Sequence, residues 1–412
     1  MSIIRLCTPL SVLFFVGAAH AEVNCDKVSN YKDVIECAEA RSPEVAKAEG
    51  SLKEKAARVD AAAQFANPSI SLSSVSGTID SDRKVETDVA LSFPIELGGK
   101  RAARKKVASV EESRAQWSLY RTKAEVRKEV TIKLLRIKQI ERELGLVEES
   151  VSAFAKLVKQ YEGRPARSPE QDVSLTVFKI AKSEYDLKKT EYDEELLTLE
   201  SYFLVTTGLG LKDLKAVSLP AVSTWPVPAD RNENLKSSPI YMSAEFDVQA
   251  AQGEFDKEAG DSWPTMNIGP SAKMTRDSGR DFQQYGFNLS MPIPFFNANG
   301  AGRAAARAAV LTAEQRRSIA LKQLEAERAL YKTTYTRAVS SLKDTPSGGV
   351  LEDKHKKIEN LFLKGVVPSS LVIEAHRSLV DFEKARNDHE LKAIGALFNI
   401  QIIDGQAVGV NP

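Results

Sequence analysis

Of the 412 residues only four are histidine and three are cysteine, so the side chains best suited to metal ligation or nucleophilic attack are scarce. Cys7 and His20 lie in the first 21 residues, leaving His355, His376, His389, Cys25 and Cys37 for the remainder. The three histidines stand in charged, helix-forming sequence with no second ligand at a metal spacing, which predicts solvated helix faces and no metal site. His376, two positions after Glu374, is the one placed to sense pH. Cys25 and Cys37 either pair in an oxidising compartment or stay free thiols. No catalytic constellation is present, so neither an enzyme nor a cofactor is expected.

Charge and composition narrow the field further. Lys and Arg total 57 against 56 Asp and Glu, which excludes the basic footprint of a nucleic-acid binder. With 42% hydrophobic residues the chain is not disordered, and by composition alone it reads as a soluble, Ala/Lys/Glu-rich helical protein. The only apolar run near spanning character is at the N-terminus, so a polytopic helical transporter is excluded. Residues 1–21 carry Arg5, an apolar stretch from Leu6 to Val16, and the small-x-small sequence Ala19-His20-Ala21. That pattern predicts a cleaved secretory signal. Cys25 follows Glu22-Val23-Asn24, which does not suit lipid attachment.

The elements that must position any function are written twice. Ser42-Pro43 returns as Ser238-Pro239 and Asn67-Pro68 as Trp263-Pro264. Leu91-Ser92-Phe93-Pro94-Ile95 returns as Leu289-Ser290-Met291-Pro292-Ile293, and Ser168-Pro169 as Val367-Pro368. Landmarks in the same order at nearly constant offset predict two tandem repeats, 22–213 and 237–412, joined by a proline-marked linker over 214–236. In each repeat the pattern predicts a helix, two strands, a very long helix, a turn and a return helix. The strands are expected at about 68–76 and 85–95, then 265–275 and 282–293. Polar loops over 77–84 and 275–281 would join each pair into a hairpin. The long helices are expected at about 99–162 and 302–363, the second bent near 346, with return helices at about 169–208 and 369–398.

Val85, Thr87, Val89, Leu91, Phe93 and Ile95 alternate with polar or small residues, as do Tyr285, Phe287, Leu289, Met291 and Ile293. Such strands suit either a soluble sheet packed on one face or a barrel wall with lipid outside and water inside. The first long helix, roughly 90 Å at 1.5 Å per residue, is too long for a compact globule. Four strands cannot close a barrel, so a membrane role demands two or three chains.

With repeat, strand pairs and landmark strings together, the chain resembles the TolC family of trimeric outer-membrane efflux channels. Phe93-Pro94-Ile95-Glu96-Leu97-Gly98-Gly99-Lys100-Arg101 is similar to the CzcC-like subgroup that serves heavy-metal cation exporters. The resemblance implies a mainly α fold with membrane β-strands: a trimeric α/β-barrel with four strands and long coiled-coil helices per chain. It implies an outer-membrane location with a helical tube in the periplasm. The expected partners are two further copies of the chain, outer-membrane lipids, a periplasmic adaptor (membrane fusion protein) and a proton-driven inner-membrane pump of the RND type. Pro94, Gly98, Gly99, Lys100, Arg101, Pro292 and Pro294 would form the barrel-to-helix junctions. Glu374 matches a position where relatives carry a pore-constricting acid, while Leu371 stands where some carry a second. In the first repeat the corresponding acid would be Glu170 or Asp172. Gly163, Arg164, Ser168 and Pro169, with Gly365, Val366, Pro368 and Ser369, would be the adaptor-docking tips. A channel for organic compounds or protein export, and a periplasmic coiled-coil protein without a channel, are the alternatives.

Overall fold

A computed structural model describes residues 25, 28–79, 82–219, 225–228, 232–277, 279–345, 356–362 and 364–406. The leader read at 1–21, the bend expected near 346 and His355 lie outside these residues.

Helices α1 (Tyr31–Arg41) and α2 (Pro43–Ala63) lead into strands β1 (Ser69–Ile79) and β2 (Asp82–Glu96). Helix α3 (Lys100–Glu162) and helix α4 (Pro169–Thr206) follow, then α5 (Leu211–Ala216) and a 3-10 turn at Asn232–Ser237. The second half runs α6 (Pro239–Gly260), β3 (Thr265–Asp277), β4 (Arg280–Ser290), α7 (Gly300–Asp344), α8 (356–362) and α9 (Ser369–Ile403).

Helix starts carry the capping chemistry expected of them. Asn30 and Asp33 form a reciprocal capping box at α1, and Ser168 and Gln171 form another at α4, each satisfying backbone donors the first turn leaves open. Helix α3 is 63 residues without a break. Its Val126, Val130, Leu134, Ile137, Ile140, Val147 and Phe154 are buried against α1, α4 and α9. That stripe supplies the tertiary packing that a helix of this length needs. Cys25 and Cys37 are joined as a disulfide, with Cα atoms 5.7 Å apart, which fastens the start of the described chain to α1.

Two readings from sequence are corrected here. The segment taken as linker from residue 214 is partly folded: α5 ends at Ala216, and Leu214 and Val217 are buried in the same core as α1. The polar stretches 77–84 and 275–281 are mostly strand, paired out to Ile79 opposite Asp82 and Asp277 opposite Arg280. Backbone pairing needs no apolar side chains, so composition alone misplaces a strand end that projects into water.

The four strands form one antiparallel sheet in the order β1-β2-β3-β4. The β2–β3 pairing joins the two halves of the chain, and β1 and β4 are its edges.

Candidate channel wall and helical turns

Register decides what the sheet can face. Ile70 lies opposite Leu91 and Leu72 opposite Val89; Val89 lies opposite Ala272 and Phe93 opposite Ile268. Ile268 lies opposite Leu289, Pro270 opposite Phe287 and Ala272 opposite Tyr285. Directly opposed residues share a face, so these side chains make one continuous apolar surface across all four strands. Among the described residues nothing covers it: Phe287 is 87% and Tyr285 80% exposed. The other face carries Ser71, Ser73, Lys84, Glu86, Asp88, Asn267, Ser271 and Lys273. On it Glu86 bridges Lys84 at 3.0 Å and Lys273 at 2.6 Å across the β2–β3 pair. A sheet that is apolar and bare on one side and ion-paired on the other fits lipid on the first and water on the second.

At the junction, β2 runs two residues beyond Pro94, which lies opposite Asn267. Strand β1 stops opposite Ser92, so at Pro94 the strand has a neighbour on one side only, the setting in which a residue without an N–H is tolerated. Gly98 and Gly99 both take φ of 74°, the left-handed region that turns the chain into α3. Lys100 reaches Asp261 at 3.7 Å, and the Arg101 Nε donates to the Ala63 carbonyl at 2.6 Å while its guanidinium covers the Phe65 ring. Both cations therefore fasten helix C-termini, those of α6 and α2, where positive charge suits exposed carbonyls. Arg104 holds Glu96 through two hydrogen bonds of 2.6 and 3.0 Å. In the second half Pro292 and Pro294 are exposed beside Phe295 and Phe296, themselves 82% and 98% exposed.

The opposite end holds the two helical turns. After α3, Arg164 sits over the Tyr161 ring, and Arg167 bonds Asp172 at 2.6 Å. Among the described residues Glu170 makes no ion pair, so of the two acids Asp172 is neutralised and Glu170 is not. The second turn, Gly365 to Pro368, enters α9, and its Ser369 hydroxyl lies 3.4 Å from that of Ser174 on α4, bringing the two turns together. Val366 and Pro368 are exposed. Glu374 is exposed on the second turn of α9, 3.7 Å from Arg377, and accepts a hydrogen bond from Ser378 at 3.4 Å. Arg377 in turn pairs with Glu184 on α4.

The two glycines of these turns are not equivalent. Gly163 has φ of −73°, which any residue adopts, whereas Gly365 has φ of 73° and closes the end of α8, with Val366 N–H bonded to the Leu361 carbonyl. Gly365→Ala is expected to cost about 1–2 kcal/mol through left-handed strain, and Gly163→Ala almost nothing. Melts of the two variants side by side check the difference.

Buried polar groups are what the sequence reading missed. His376 is not on a solvated face: it is 1% exposed, held between Ser150 and Glu359. His389 is half-buried. Glu143, fully buried, accepts from Arg136 at 2.8 Å and from Asn387 at 2.6 Å, and Arg136 also bonds Glu195 twice. Burial works against the Arg136 charge, but the hydrogen bonds from Glu195 and Glu143 outweigh it and hold the guanidinium above its ordinary range. The signal was available: His376 falls in step with Val372, Ile373, Leu379 and Val380, on the stripe that packs. Among the described residues no three His, Cys, Asp or Glu side chains gather as a metal site, and no helix is long and apolar enough to cross a membrane.

No protein-family model matches the chain. It is 22% identical over 223 residues to the cobalt-zinc-cadmium resistance protein CzcC of Cupriavidus metallidurans, a match that takes in 53% of each chain. The chain thus spans about half the length of that curated relative. Among solved structures it is similar to the CmeC outer membrane channel of Campylobacter jejuni, with TM-score 0.72 and 12% identity over 92% of this chain and 86% of that one. It is also similar to the outer membrane protein VceC of Vibrio cholerae, with TM-score 0.68 and 15% identity over 91% and 96%. A four-stranded antiparallel sheet running into helices far longer than a globule accommodates is the fold the chain shares with these two solved outer-membrane structures.

Proposed function

We propose that the chain is the outer-membrane component of an efflux system, a passive conduit that assembles as a homotrimer. It would dock at its helical turns to a periplasmic adaptor and an inner-membrane, proton-driven pump. The observation that carries this reading is the uncovered apolar sheet face with two open edges. In lipid, each unpaired edge group costs several kcal/mol, so copies of the chain must close the sheet. Three copies would supply twelve strands, above the minimum of about eight for a membrane barrel. The ion-paired polar face would then line the lumen and the long helices would continue the wall. Heavy-metal cations are the cargo class favoured by the likeness to CzcC. Purified chain reconstituted in planar bilayers should give discrete conductance steps and sediment with outer membranes. A protein extracted without detergent that gives no conductance would refute the reading.

In this assembly Glu374 from each copy would form a negative ring at the narrow end, favouring cations over anions. The ring is expected to be weaker than three full charges, because Arg377 stands beside each carboxylate. Glu374→Gln should lower the cation-to-anion permeability ratio severalfold, and Arg377→Gln should raise it. Reversal potentials in asymmetric salt measure both.

A further inference from the structure

Counting protons around His376 leads to a regulatory element in the helical turns. The ring lies between three helices: its Nδ1 is 2.8 Å from the Ser150 hydroxyl of α3, its Nε2 is 3.0 Å from the Glu359 carboxylate of α8, and its face packs on Phe154 at 4.9 Å between centroids. The Ser150 hydroxyl has a single proton, and it is committed to the Leu146 carbonyl at 2.8 Å. Toward the ring Ser150 can therefore only accept, which requires a proton on Nδ1. A carboxylate also only accepts, which requires a proton on Nε2. All three hydrogen bonds are satisfied together only when the imidazole carries both protons and a positive charge. A neutral ring must give up one of them, and at a site 1% exposed no bulk water replaces it.

Among the described residues, the other charged groups of α4 and α9 near the ring pair with one another. On α4, Tyr185 meets Phe154 edge to face, and burial together with Glu184 and Asp381 pushes its hydroxyl up, so it stays neutral. On α9 itself Arg377 is shared between Glu184 and Glu374, and Lys188 of α4 lies between Glu184 and Asp381. Lys356 and Lys357 of α8 are exposed. Glu359 is the carboxylate that touches the ring.

We propose that protonated His376 is a latch, its two N–H groups pinning α8 to α3 and α9, and that loss of the proton frees α8 and the Gly365 turn that follows it. Over its described residues α8 packs on the core through Ile358 and Phe362, the latter against Phe178. Loss of the latch removes the polar contact that ties this segment to α3 through the His376 ring. The sign follows: the contact is present at acid pH and lost as pH rises through the pKa of the buried ring, so the turn is held when the surroundings are acid and released when they are not. That this turn lies at the narrow end of a conduit rests on the function proposed above; the latch itself does not.

Hydrogen exchange on the full chain in detergent, corrected for intrinsic rate, tests it. Between about pH 5.5 and 8.5 the amides of 356–362 are expected to lose about tenfold in protection while those of α4 do not. His376→Gln should be fast and flat across the range, and Glu359→Gln flat, since its amide can accept from or donate to Nε2 whichever form the ring takes. A flat profile in the wild-type chain, or a pH dependence that survives in His376→Gln, would overturn the proposal. Should the variants misfold, imidazole nitrogen shifts of the wild-type chain decide: a doubly protonated ring below neutral pH supports the latch, and a neutral tautomer throughout overturns it. Neither readout needs conductance, so a chain that shows the latch but no channel would refute the conduit alone.

Discussion

Asp404→Ala is expected to destabilise the folded chain by about 3–5 kcal/mol, the range for removing one partner of a buried ion pair. Asp404 is the C-cap of α9, an end where the helix dipole disfavours a carboxylate, and it is only 7% exposed. Both penalties are offset by Arg328 of α7, itself 5% exposed, whose Nε and Nη2 donate to the two carboxylate oxygens at 2.7 and 2.8 Å. The planar fork fits the carboxylate in one orientation, so the pair sets where the end of α9 meets α7. Around it, the Tyr120 hydroxyl of α3 donates to the Gly405 carbonyl at 2.7 Å, and Leu235, Leu324 and Ile403 close a small apolar cluster. Truncation takes from the guanidinium the carboxylate it grips with two hydrogen bonds, and the end of α9 loses this tie to α7. Thermal and denaturant melts in detergent should show the loss. The combined Arg328→Met, Asp404→Leu variant is expected to recover most of it, since removing both charges also removes their desolvation cost. A double variant no better than Asp404→Ala would mean that the geometry of the pair, not its charge balance, carries the stability.

This pair shows where the sequence stops being legible. Arg328 and Asp404 are 76 positions apart, and only the packing of α7 on α9 brings them together. The elements themselves were readable because each follows a local period. Val126, Val130, Leu134 and Ile137 step along one face of α3 and are buried there, and Val85 to Ile95 alternates and forms β2. Strand ends were not readable, since Lys84 and Arg83 pair as strand residues in spite of their polarity. Cys25 and Cys37 could be brought together or not by a twelve-residue spacing, and in the fold they are joined. Polar residues on an apolar stripe were misjudged for a different reason. His376 occupies a buried position of α9, but residue type argued for solvent while position argued for the core; Glu143 of α3 and Asn387 of α9, which no sequence motif marks, are buried likewise. Position decided, and each of these side chains has a hydrogen-bond partner on another helix. The tip acids show the same dependence on neighbours. Two carboxylates two residues apart were indistinguishable in sequence, and Arg167, folded back over α4, separates Asp172 from Glu170.

Gly269→Ala is expected to abolish assembly of the sheet, with a cost above about 3 kcal/mol, the range in which point changes are diagnostic of a single steric cause. Gly269 is in the middle of β3, where a glycine is ordinarily a weakness. Here a β-carbon would fall 1.8 Å from the Leu91 carbonyl oxygen, 2.8 Å from its carbon and 3.2 Å from the Ser92 Cα. All three atoms are backbone of β2, so no side chain can rotate away, and relief requires the two strands to part. They are the strands that join the halves of the chain, and β2 is paired to β1 through Ile70–Leu91 and Ser69–Ser92 at the same level. Displacing Leu91 therefore disturbs both neighbours at once. Gly286→Ala is the matched control: it sits opposite Ser271 on the same polar face, and its β-carbon would meet only the Ser271 hydroxyl at an ordinary 3.5 Å. Gly286→Ala should assemble normally and gain a little from reduced freedom of the unfolded chain. Recovery of each variant as folded protein, with its resistance to protease, gives the readout. Equal tolerance of the two would show that β2 and β3 do not approach this closely, and equal failure would show that the sheet rejects any added methyl on its polar face.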